Sequence, residues 1–168
     1  MRVTLAAAIA LVFATGASAQ EPPKCTTVAR PPAALAGWAT PIDAKAAADA
    51  SAATAILLPG KAVAATLSPS TALHYAVAPE KEGDANSFGG MFLFEVKQAG
   101  TYRIALSAGG WIGVVRNGKA IASSTHSHGP DCSGIRKMVD FALTPGRYTL
   151  QIASSRVPKV TTLIALLP

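Results

Sequence analysis

The sequence predicts an all-β fold: two layers of antiparallel strands packed as a jelly-roll-like β-sandwich, with room for one short N-terminal helix. Three observations carry this. Side chains alternate with period two through the second half, where Tyr102, Ile104 and Leu106 interleave with Arg103, Ala105 and Ser107, the pattern of strands with one buried face. Glycine and proline turns interrupt those runs at short intervals. A motif of strand, glycine turn and tyrosine also occurs twice, near Gly100 and near Gly146.

Taken in order, residues 1–19 read as a secretory signal. Met1 and Arg2 give a basic start, Leu5 to Phe13 an apolar centre, and Ala17-Ser18-Ala19 before Gln20 a small-residue cleavage site. The apolar run is too short for a membrane span, so the expected location is the periplasm or the medium. In such a compartment Cys25 and Cys132 are expected to pair, closing a long loop worth about 4 to 5 kcal/mol in chain entropy. A metal-ligating Cys132 and two unpaired thiols are the alternatives. Residues 20–41 carry five prolines and read as an extended arm, with Trp38 either anchored in the core or exposed as a sugar-stacking ring. Residues 42–168 form one domain. Asp43 to Ala55, nearly all alanine, is the candidate helix, with an irregular stretch as the alternative.

Beyond Leu57 the period changes to two. Ala62 to Leu67 is a strand between the turns Pro59-Gly60 and Ser68-Pro69-Ser70, and Leu73, Tyr75 and Val77 alternate as a second. Residues 79–87 make a charged loop. Met91 to Val96 and Tyr102 to Leu106 flank one glycine turn; Met138 to Leu143 and Arg147 to Ala153 flank another, and both pairs are expected as hairpins. Asn117-Gly118 between Trp111–Val115 and Ala120–Ala122 is the strongest hairpin signal, because both residues accept positive φ in a type I′ turn. Val160 to Leu167 is the last strand. Two such hairpins suit a sandwich, with a closed barrel as the competitor.

The run from Ala99-Gly100-Thr101-Tyr102, through Arg116-Asn117-Gly118-Lys119, to Asp140-Phe141-Ala142-Leu143-Thr144-Pro145-Gly146-Arg147-Tyr148 resembles the bacterial pre-peptidase C-terminal type of β-sandwich. The resemblance covers residues 88–166. It implies a non-catalytic accessory of secreted hydrolases, used for folding, matrix attachment or ligand contact.

Lysine and arginine number 15 against 9 acidic residues, a formal charge of +6. The excess is spread thinly, without the clustered phosphate contacts of a nucleic-acid surface. The chemistry-bearing residues gather in Ser123 to Cys132. His126 and His128, two apart, share one side of an extended segment and are candidate ligands for zinc or copper, with His74, Asp131 or the loop acids Glu80 and Glu82 completing the shell. Met91 and Met138 would favour copper only on converging with them. A cupin dioxygenase pattern fits poorly: Ala120 stands where that motif has glycine, and Asp131 follows His128 too closely. A hydrolytic triad can be assembled from His74, Asp140 and a serine, but no nucleophile elbow marks the serine. Arg136 and Lys137, joined by Arg116 and Lys119, are an alternative receiver for an anion.

The leading functional expectation is a secreted or periplasmic binding or accessory protein without catalysis, taking a small-molecule, glycan, metal or protein ligand. The alternatives are a periplasmic divalent-metal binder using the His-x-His pair and a small metal-dependent enzyme such as a dioxygenase.

Overall fold

Alternating side chains become two packed sheets in the computed structural model, which describes residues 25–168; the expected signal, residues 1–19, lies outside the described residues. The strands in chain order are β1 (Ile42–Lys45), β2 (Ile56–Leu57), β3 (Val63–Thr66) and β4 (Ser68–Pro69). Next come β5 (Phe88–Val96), β6 (Gly100–Leu106), β7 (Trp111–Arg116) and β8 (Lys119–Ile121). The last four are β9 (Thr125–Ser127), β10 (Lys137–Leu143), β11 (Gly146–Ser155) and β12 (Lys159–Leu166). The first sheet runs β1-β3-β12-β6-β10-β9; the second runs β2-β5-β11-β7-β8, with β4 paired to β5. Their inner faces interdigitate: Phe92, Phe94, Ile112, Val114, Leu150 and Ile152 meet Ile104, Leu106, Val139, Phe141 and Ile164 in one core. No helix of the described residues is long and apolar enough to cross a membrane.

The sandwich is mixed rather than purely antiparallel. β1 runs parallel to β3, and β2 parallel to β5. Parallel neighbours need a crossover connection, and the chain supplies it by passing from the first sheet to the second and back between β1 and β3. The short helix is also displaced. It is a 3-10 segment at Ala33–Ala39, whereas the expected helical run opens as β1. The alanines there permit close approach: Ala46 sits where a Cβ on Gly90 of β5 would be, and Ala47 bridges Met91.

The repeated motif is real, but its two copies are not hairpins. β5 pairs with β11 and β6 with β10, so each glycine turn carries the chain from one sheet to the other. The repeats therefore pair with each other: Phe94 opposes Tyr148 in the second sheet, and Phe141 opposes Tyr102 in the first. Each tyrosine ring is buried and its hydroxyl returns to the corner, Tyr102 donating to the Gln98 carbonyl at 2.9 Å and Tyr148 to the Thr144 carbonyl at 2.8 Å. That four-residue link holds a corner between layers. Arg116 completes the second corner, donating to Thr144 Oγ1, Tyr148 Oη and the Pro145 carbonyl at 2.7 to 3.0 Å. Gly146, at φ 147°, faces that guanidinium, and a Cβ would strike it. The expected type I′ hairpin joins β7 to β8, with Asn117 at φ 50° and Gly118 at φ 70°.

Each sheet also has a covered outer face. On the first, Leu35 and Trp38 pack against Ala105, Ile135, Met138, Leu163 and Ala165 as a second apolar cluster. The Cys25–Cys132 disulfide and the bond from Ala29 N–H to the Cys132 carbonyl at 2.9 Å tether this segment. Trp38 is thus an anchor, 8% exposed. On the second sheet, residues 73–77 form no regular strand, only a bridge between His74 and Asp49. The Gln151 side chain stands in for a ladder: Oε1 accepts from the Ala76 and Val77 N–H groups, and Nε2 donates to the Val77 carbonyl. Tyr75 donates to the Ile152 carbonyl at 3.1 Å; burial, helped by Glu82, pushes its pKa up to about 12.

Candidate functional site

Beside that covering segment the second sheet is left open. Trp111 and Gly113 lie on the outer face of β7 and are partly exposed, because Ile112 and Val114 point into the core. Gly113 stands directly opposite Gln151 of β11, and the missing side chain leaves a depression. The partly exposed Trp111 indole borders that space, its Nε1 3.5 Å from where a Cβ on Gly113 would stand. The resulting groove encloses about 360 Å³, and Val77, Glu80, Ser123 and His126 also line it.

β9 forms the next wall because β10 clamps it. Asp140 accepts from Arg103 through both oxygens at 2.8 and 2.7 Å and from Thr125 Oγ1 at 2.8 Å. The Asp140 carbonyl accepts from the Ser124 N–H at 2.8 Å. The Arg103 bonds outweigh burial and hold the Asp140 carboxyl below its usual pKa. Asp140 therefore orients an edge strand and is not a partner for an imidazole in a triad.

His126 and His128 share a second cleft of about 330 Å³ with Ser127, Arg136, Lys137, Gly109 and Gly110. His126 lies in β9 and His128 just beyond its end. His128 donates from Nδ1 to the Arg136 carbonyl at 2.7 Å, and His126 Nε2 lies 3.4 Å from Ser123 Oγ. Lys137 donates to the Gly110 carbonyl at 2.7 Å and rests 5.5 Å from the Trp111 ring centroid, a cation–π contact. Burial, with the positive charge of Lys81, lowers its pKa. His126 lines both clefts, which adjoin at its side chain.

The expected zinc or copper site is not formed: among the described residues no group of three or more His, Cys, Asp or Glu converges. His74 is held in its bridge to Asp49. Asp131 borders a separate cleft with His128 but not His126. Cys132 is spent on the disulfide, and Met91 and Met138 are buried among core side chains. Two imidazoles leave a tetrahedral ion half-coordinated, so the expected zinc or copper shell is not assembled among the described residues. The basic quartet also divides. Arg116 belongs to the Tyr148 corner and Lys119 to the β7–β8 turn, at the far end of β7 from Trp111, while Arg136 and Lys137 stay at the cleft. The sequence reading missed Trp111, Gly113 and Gln151; the Gly109-Gly110-Trp111-x-Gly113 run was the signal for an aromatic beside open backbone.

No protein-family model matches the chain, and no curated protein matches it.

Proposed function

We propose that this chain is a secreted or periplasmic β-sandwich that binds a saccharide, without catalysis, in the groove beside Trp111. The observation that carries the reading is the partly exposed indole set against the side-chain-free Gly113, between polar edges at Glu80, Ser123 and His126. A flat aromatic surface with hydrogen-bonding groups around it suits the apolar face and hydroxyl rim of a sugar ring. The signal-like residues 1–19 support export, as does the disulfide, because such bonds persist in oxidising compartments. In this reading residues 20–41 are an arm, its described part from Cys25 onward docked on a single domain, 42–168, and the resemblance to the pre-peptidase C-terminal type supports an accessory role.

Fluorescence titration of the untagged protein with an oligosaccharide panel tests it. Trp38 is buried, so the ligand-dependent change should come from Trp111 and vanish in Trp111→Leu. A panel that leaves the emission of the wild type unaltered at every concentration would refute saccharide binding here.

A further inference from the structure

We infer that the ligand is an anionic saccharide whose carboxylate or sulfate group enters the cleft formed by His126, His128, Arg136 and Lys137. This rests on the reading that the Trp111 groove binds a sugar, and it assigns the neighbouring cleft a role. The side chains lining that cleft are two imidazoles, a guanidinium and an ammonium, with only Ser127 and two glycines between them. Neither Arg136 nor Lys137 makes an ion pair among the described residues, where the acids that do are Asp140, Asp84 and Asp43. Lys137 is partly buried, fixed by the Gly110 carbonyl and the indole, and so is a pre-positioned donor that has lost water without gaining a counter-charge. Such a donor favours an incoming anion more than a solvated surface lysine does. Because Lys137 rests on the Trp111 ring, an acid group in the cleft and a sugar ring in the groove can belong to one molecule.

The charged neighbours agree. Lys81, from the 79–87 loop, bears on Lys137 and adds positive potential. Glu80 lines the sugar groove, and Asp131 the cleft on the far side of His128 and Arg136; Asp140, on β10, is neutralised by Arg103.

Calorimetry of the full mature protein tests this with three probes: an oligogalacturonate, a sulfated heparin-derived oligosaccharide and a neutral cello-oligosaccharide. At least one acidic probe should bind about tenfold tighter than the neutral one. Whichever acidic probe binds more tightly identifies the acid group. Exposed Arg136→Gln should cost the acidic probe about tenfold without disturbing the fold. Equal binding of neutral and acidic probes, lost in Trp111→Leu but not in Arg136→Gln, overturns the anion assignment and leaves the groove reading standing. Acidic binding that depends on Arg136 but not on Trp111 supports the cleft and overturns the groove. No binding by any probe overturns both.

Discussion

The outer faces of the two sheets are both roofed by chain that precedes β5, yet by opposite means. Over the first sheet the roof is apolar and covalent: Leu35 and Trp38 sink into Ala105, Ile135, Met138 and Leu163, and Cys25 is tied to Cys132. Over the second it is polar, held by three hydrogen bonds from one glutamine side chain and one from Tyr75. Apolar burial closes a face completely, because every uncovered square ångström of hydrocarbon costs free energy. Directional bonds fix a segment at a few points and leave space beside it. The groove at Trp111 is that space.

The comparison can be broken first where it is strongest. Trp38→Ala should destabilise the protein by about 3 to 5 kcal/mol, as large aromatic truncations do, measured by urea unfolding, while leaving ligand binding at the groove intact. Cys132→Ala should cost about 2 to 5 kcal/mol through the freed loop. In the non-reduced wild-type protein, denaturation should expose no alkylatable thiol from this pair. On the opposite face, Gln151→Leu should cost about 1 to 3 kcal/mol by stranding the Ala76 and Val77 backbone groups. It should also raise amide exchange selectively in residues 73–79, and a uniform rise across both faces would contradict the polar-roof account. The mildest effect belongs to Asp140 and its pH dependence. Its pKa is lowered by Arg103, so its stabilisation is present above the unfolded aspartate value of about 3.9 and is lost as pH falls through the lower folded value. Asp140→Asn should therefore lie furthest from wild type near neutrality and converge with it in strong acid; Arg103 is 23% exposed, which keeps the difference modest.

The two faces also differ in how far the sequence disclosed them. Period-two alternation marked β6 and β11, and Asn117-Gly118 marked its hairpin, because those signals are local. The Trp38 anchor and the disulfide were legible from residue type and compartment. The covering strand expected at Leu73, Tyr75 and Val77 was not formed as such, since the partner satisfying its backbone is a side chain 74 residues away. The alanines after Ile42 looked helical by propensity, but what decided their conformation was the glycine they must approach, and propensity yields to tertiary packing. The His-x-His pair gains no third ligand among the described residues, and its spacing alone could not tell, because ligand counting requires knowing which distant groups arrive.

The crossed pairing of the two repeats has a kinetic consequence. β5 finds its partner in β11 and β6 in β10, so neither repeat has its principal sheet partner within itself. A fragment ending before Lys137 should remain unfolded, and the central ladders must await nearly the whole chain. Folding dominated by such distant pairings is slow, in the millisecond-to-second range of all-β domains. A chain of this kind keeps its strands open, and therefore threadable, until its last strands are present.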